Sequence, residues 1–151
     1  MARPKHVGSD GQYYFVTTAT HGRTPIFKRE ELAEAVVNAL YHLRDRGRVK
    51  LHGFVVMPDH GHTIISLVGG KTLPQVMHSL KSYTANQINE MRGMRGKVWQ
   101  EGYYDYALRN VKDAERKLRY TLGNRLRKKL AEEVDLYPWS SASERYEVDP
   151  F

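Results

Sequence analysis

Two histidines separated by one residue, His60-Gly61-His62, are the first group in this sequence whose types and spacing suit chemistry. On a β-strand, residues i and i+2 project from the same face, so two imidazoles can address one metal ion. The spacing alone fits a solvated strand face equally well, and only two of the seven histidines take part. The second group centres on Tyr120, followed one helical turn later by Asn124. In a helix of ~3.6 residues per turn, Tyr120 falls opposite a stripe expected to be buried, Val111, Ala114, Leu118, Thr121 and Leu122. It shares its arc with Asp113, Arg116, Lys117, Asn124 and Arg127. A phenol oxygen and an amide oxygen on that side can serve one ion and one phosphate together, and Arg116, Lys117 and Arg127 suit DNA phosphates. A tyrosine that merely covers a sheet edge, on a helix basic for solubility, gives the same pattern. The third group is aromatic: Trp99, Tyr103, Tyr104 and Tyr106, then Tyr137-Pro138-Trp139. Aromatics beside Arg and Lys stack on unpaired bases but fill cores just as readily. Trp99 and Tyr103 are read as core, and the choice stays open for the C-terminal pair.

These residues need elements to position them. The alternating, Tyr-, Phe-, Val- and Thr-rich run Gln12 to Thr20 predicts a strand. From Glu30 to Arg46 apolar residues recur at helical spacing, at Leu32, Ala33, Val36, Val37, Leu40 and Leu43, and Gly47 closes the helix. Val49 to Met57 and His60 to Val68 predict two strands broken only by Pro58-Asp59, which implies a hairpin. Thr72 and Gln75 form a capping-box pair ahead of a second helix through Met91. After the basic, glycine-containing loop Arg92 to Lys97, Tyr103 to Arg109 predicts a fourth strand. A third helix follows from an Asn110 cap to about Val134. The order strand, helix, strand, strand, helix, strand, helix predicts a ferredoxin-like α+β sandwich: an antiparallel sheet with helices on one face, plus an added C-terminal helix carrying Tyr120.

Composition narrows the function. The 151 residues fit one compact domain, with no repeat, low-complexity tract or internal boundary. A formal charge of +7 favours a polyanionic partner, because Lys and Arg displace condensed counterions from nucleic-acid phosphates. No apolar run approaches the ~20 residues that span a bilayer, and no apolar segment follows the start Met-Ala-Arg-Pro-Lys-His, so the expectation is a cytoplasmic protein without a membrane partner. The absence of cysteine excludes disulfides, thiolate catalysis and cysteine-based zinc sites.

With these residues in place, the chain resembles the single-tyrosine HUH transposases. The segments that carry the resemblance are Val56-Met-Pro-Asp-His-Gly-His62, Val98-Trp-Gln-Glu-Gly-Tyr-Tyr-Asp-Tyr-Ala-Leu-Arg109, Tyr120 with Asn124, and Tyr137-Pro-Trp-Ser-Ser141. The second and last are similar to the REP-associated tyrosine transposase branch, which acts on repetitive extragenic palindromes. Two positions depart from the pattern: Gly61 stands where the family has a bulky apolar residue, and Arg125 where a proline is usual. Neither change removes a reactive side chain, though glycine loosens a strand and loss of proline lets a helix continue.

The resemblance implies a metal-dependent single-stranded DNA endonuclease and strand transferase acting next to DNA hairpins. It implies that His60, His62 and the Asn124 amide bind Mg²⁺ or Mn²⁺, and that Tyr120 attacks phosphorus to give a 5′-phosphotyrosine and a free 3′-hydroxyl. A phenol of pKa near ~10 needs a metal or cationic neighbours to favour the phenolate, and Arg116 and Lys117 are the nearest by helix mapping. Arg92, Arg95 and Lys97 are expected on the DNA backbone. The unit is expected to act as a monomer or homodimer. Competing readings are a hairpin-DNA binder without catalysis, and a hydrolytic nuclease in which the histidines activate water and Tyr120 is structural. A ferredoxin-like RNA-binding domain ranks last, because its aromatic signature on paired strands is not evident.

Overall fold

The computed structural model describes residues 11–127, 139–143 and 145–151, with side chains of residues 123–127 left out. Its elements follow the expected order: β1 (Tyr13–Ala19), α1 (Glu30–Asp45), β2 (Val49–Met57), β3 (His60–Leu67), α2 (Leu73–Arg92), β4 (Tyr104–Leu108) and α3 (Val111–Arg127). Two 3₁₀ turns, His21–Arg23 and Ile26–Lys28, connect β1 to α1. The strands form one antiparallel sheet in the order β2-β3-β1-β4. That order, with a helix after β1 and another after β3, is the ferredoxin-like sandwich predicted from the sequence.

The helix boundaries have local causes. Thr72 Oγ1 accepts from the Gln75 backbone N–H (3.3 Å) while Gln75 Oε1 accepts from Thr72 N–H (2.9 Å), which satisfies two donors that the helix leaves unpaired. At the other end of α2, Gly93 adopts φ 60°, a left-handed conformation that glycine takes at least cost. Asn110 Oδ1 accepts from Asp113 N–H (2.9 Å) and caps α3. The expected continuation of α3 from residue 128 to Val134 lies outside the described residues, as does Tyr137.

Strand alternation divides the sheet into two faces. Tyr14, Val16, Ile65 and Leu67 face α1 and α2, where Leu32, Val36, Leu40, Val76, Met77, Leu80 and Ile88 complete the larger core. Phe15, Ile64 and Leu108 face the other way and pack against Ala114, with Leu118 and Phe151 at the margin. The helix that carries Tyr120 therefore lies on the opposite side of the sheet from α1 and α2. Of its expected stripe, Ala114 and Thr121 are buried and Leu118 and Leu122 half-buried, but Val111 is 42% exposed. Val111 is the first helical residue, and Ala114 is the first that the sheet covers.

Trp99 is buried as expected and donates its indole N–H to Thr84 Oγ1 (2.8 Å), while Tyr103 packs half-buried on the larger core. Trp139 is also buried. Its backbone begins a segment that covers the outer edge of β2: Val56 N donates to Trp139 O (2.8 Å), Ser141 N to Phe54 O (2.9 Å) and Asp149 N to Leu51 O (2.7 Å). Such a cover blocks unwanted pairing at an exposed strand edge. Beside it, β2 carries an irregularity between Leu51 and Gly53. A Cβ built on Gly53 would overlap Leu118 of α3, so this glycine lets α3 lie directly on the sheet.

Candidate active site

The histidine pair opens β3, where the tight β2–β3 hairpin leaves the sheet at Pro58-Asp59. His60 and His62 share one face, as their spacing requires, with ring centroids 4.9 Å apart and planes at 76°. Each ring is held through Nδ1. His60 Nδ1 hydrogen-bonds Asp59 Oδ1 at 2.7 Å, and Asp59 Oδ2 meets Arg23 Nε at 3.2 Å. The His60 bond, aided by the Arg23 charge, keeps the Asp59 carboxyl below its ordinary range, so it is a carboxylate at neutral pH. His62 Nδ1 hydrogen-bonds Thr17 Oγ1 at 2.8 Å, across the register pair Thr17 and His62 of β1 and β3. Phe15, two residues along β1 on the same face, stacks on His62 with centroids 5.2 Å apart and planes at 21°.

From Phe15 the site reaches α3. The Lys117 ammonium lies 4.3 Å from the Phe15 centroid and 5.6 Å from that of Tyr120. One lysine thus bridges the tyrosine to the ring that stacks on His62, which puts Tyr120 on the histidine side of the sheet. Tyr120 is 61% exposed, open to a large substrate. Arg116 is directed elsewhere: its Nη1 meets Asp113 Oδ1 at 3.4 Å, and Asp113 also accepts from Arg109 Nε at 2.8 Å. Of the two cations assigned to Tyr120 by helix mapping, Lys117 is the one beside its ring. Asn124 and Arg127 belong to the same helix, but their side chains lie outside those described.

Arg95 and Lys97 are exposed and Arg92 half-buried, in the segment that ends α2 and leads to Trp99. That loop returns to the C-terminal end of β1, where His21 N donates to Val98 O (2.9 Å) and Thr20 bridges Trp99. Ala19 pairs with His60 in the register, so the basic loop closes on the same end of the sheet as the histidines. A cavity of about 410 Å³, lined in part by Arg46, Arg48 and Lys71, opens instead between α1 and α2 on the opposite face. Thr17 and Phe15 are site residues that sequence reasoning did not single out. The alternation of β1 places them on one face, but only the pairing of β1 with β3 brings them to His62.

Among the described residues no three His, Asp or Glu side chains cluster as a metal site. The donor chemistry nevertheless fits a divalent ion. Two neighbouring imidazoles on one face, each engaged at Nδ1 by a carboxylate or hydroxyl partner, have the outer hydrogen bonds that orient metal-ligating histidines.

A family model for IS200-like transposases matches residues 9–121. The chain belongs to the IS200-like transposase family. As a member, it is an enzyme of the transposase class whose sheet, histidine pair and Tyr120 all fall within the matched region. Among solved structures, this transposase resembles a REP-associated tyrosine transposase bound to a REP hairpin, with a TM-score of 0.69 and 21% identity over 93% of this chain and 82% of that one. It also resembles a Deinococcus radiodurans protein provisionally assigned as a transposase, with a TM-score of 0.56 and 17% identity over 83% of this chain and 98% of that one. At these identities the likeness is one of fold. No curated protein matches the sequence.

Proposed function

We propose that this transposase, acting as one HUH-type unit across residues 1–151, nicks and rejoins single-stranded DNA beside a hairpin through a covalent bond to Tyr120. The observation that carries the reading is the bridge from Tyr120 through Lys117 and Phe15 to His62, which brings an exposed phenol and a paired-histidine site to one face. An isolated surface tyrosine needs no such neighbours.

His60, His62 and the Asn124 amide are the residues that would hold Mg²⁺ or Mn²⁺. When bound, such an ion polarises the scissile phosphate and offsets charge that develops in the transition state. The chain's own residues supply the rest. With Nδ1 engaged by Asp59 and Thr17, both rings are held in orientation. The Asp59 carboxylate, which can only accept, favours the Nδ1–H tautomer of His60, the Thr17 hydroxyl can accept from His62 in the same way, and Nε2 would then be the ligating atom. Tyr120 Oη attacks phosphorus and loses its proton; the phosphorus bond to the 3′-oxygen breaks, and that oxygen leaves as a 3′-hydroxyl after taking up a proton. Lys117, beside the Tyr120 ring, supplies a positive field where the attacking oxygen carries charge. The 5′-phosphotyrosine so formed retains the phosphodiester bond energy, and a second 3′-hydroxyl can reverse the step without ATP.

The solved relative of the same fold is bound to a REP hairpin, and the Trp99 to Arg109 segment resembles that branch. Both favour a palindromic hairpin with an unpaired flank as the substrate. Arg95 and Lys97, with Arg92 behind them and Arg116 and Arg127 on α3, would contact its phosphates. The test is incubation with a labelled hairpin oligonucleotide and Mg²⁺ or Mn²⁺, read on a denaturing gel. A covalent protein–DNA band that is lost with Tyr120→Phe is expected. Cleavage without an adduct, surviving Tyr120→Phe, would instead identify a hydrolytic nuclease.

A further inference from the structure

The single face that carries Tyr120 and the histidines also carries two large side chains that no step above uses. Tyr104 and Tyr106 lie two residues apart on β4, an edge strand of the sheet, and are 57% and 53% exposed. Asp105 between them is buried toward the other face, so the exposure of its neighbours follows from strand alternation and not from a frayed edge. The register fixes where they stand. Tyr104 pairs with Thr17, whose hydroxyl holds His62; Tyr106 pairs with Phe15, whose ring stacks on His62 and lies under Lys117. Each tyrosine is therefore one strand removed from a residue that touches His62.

Exposed aromatic rings on a strand, with Lys117 over Phe15 on the neighbouring strand, match the chemistry of unpaired bases. A base stacks on the ring face without regard to its identity, while the phenol rim remains solvated. A duplex offers no such faces, because its bases already stack on one another. We propose that Tyr104 and Tyr106 form a stacking platform for the unpaired bases of the single DNA strand flanking the scissile phosphate. The inference rests on the reading of the face as a DNA-cleaving site and names the part of the substrate that the β4 edge receives. Stacking holds the unpaired strand across β4, so that the phosphate beyond it meets the histidines and Tyr120. The platform binds DNA whether or not the strand is cut.

The experiment is fluorescence anisotropy with a labelled hairpin oligonucleotide carrying an unpaired flank, in EDTA so that no cleavage intervenes. Tyr104→Ala combined with Tyr106→Ala is expected to weaken binding at least about tenfold, the size of a single lost base stack. The salt dependence should not change, because no phosphate contact is removed. The paired Phe substitutions should bind like the parent. Abasic positions in the flank should weaken binding to the parent protein but have no further effect on the double alanine variant. Equal binding by the alanine variant, or equal abasic sensitivity in both proteins, would overturn the platform. Photo-crosslinking of the unmodified protein to 5-iododeoxyuridine in the flank gives an independent reading. Attachment at Tyr104 or Tyr106 is expected, and crosslinks confined to other segments would contradict it. Covalent adduct formation is scored separately, so base stacking on β4 without an adduct would refute the covalent role of Tyr120 while leaving the platform itself standing.

Discussion

Each side chain proposed to act in the site has a named neighbour. Asp59 fixes His60, Thr17 fixes His62, and Lys117 lies between Phe15 and Tyr120. Outer partners of metal-ligating histidines commonly contribute about 10–100-fold in metal affinity, so Asp59→Asn and Thr17→Val should each raise the metal concentration needed for cleavage by about that factor. A metal titration of cleavage rate checks this, and an unchanged midpoint would show that the partners do not orient the ligands. Tyr120, being exposed, should contribute little to folding: Tyr120→Phe is expected within about 0.5 kcal/mol of the parent in urea denaturation. At this scale the sequence offered His60-Gly61-His62 and Tyr120 as candidates, but their spacing alone fitted structural roles as well, and the resemblance of the surrounding segments singled them out. It did not make Thr17 or Phe15 legible, because their roles arise from a register that joins residues about 45 apart in sequence.

The elements place α3 on the sheet through a glycine. Gly53 has no room for a Cβ unless the Leu118 Cδ1 methyl, the tip of a flexible side chain, moves aside, so Gly53→Ala should destabilise the protein by about 1 kcal/mol and leave α3 on the sheet. Gly61 offers the contrast. A Cβ there would meet only Val55 O at 3.7 Å and Thr18 Oγ1 at 3.9 Å, ordinary contact distances, so Gly61→Ala should be neutral or slightly stabilising. Paired urea denaturation curves distinguish the two, and a destabilising Gly61→Ala would show that this strand needs glycine. The departure from a bulky residue at Gly61 therefore leaves the histidine geometry intact, with His60 and His62 still on one face. Apart from the C-terminal end of α3, which lies outside the described residues, helix and strand boundaries were legible within a residue or two, since capping residues and alternation act locally. The burial of Val111 was misjudged because a helical stripe gives direction but not where along the helix the sheet begins.

Across the whole molecule, the C-terminal segment clasps the β2 edge. Asp149 forms a two-point ion pair with Arg44, with Nε to Oδ2 and Nη2 to Oδ1 both 2.9 Å, and also accepts from Leu51 N–H (2.9 Å). The Arg44 bonds, then the Leu51 N–H, hold the Asp149 carboxyl below its usual range. Because the folded value is depressed, this stabilisation is fully present above the ordinary carboxylate pKa of about 3.9 and is lost as pH falls through the lower folded value. Asp149→Asn should therefore lower Tm at pH 7, with the gap closing as melting curves are taken down the acid limb; a constant gap would place the loss elsewhere. The sequence carried the ferredoxin-like order and the basic charge, but not this clasp, because nothing local in Tyr146 to Phe151 names Arg44 or β2 as a partner. No helix among the described residues is long and apolar enough to cross a membrane. Attachment of the protein to DNA through one tyrosine is read most directly by tandem mass spectrometry of the trypsin-digested adduct after nuclease trimming. A nucleotide mass is expected on the peptide from Tyr120 to Arg125, fragmenting to the tyrosine. A nucleotide on another residue, or cleaved DNA with every peptide unmodified, would contradict it.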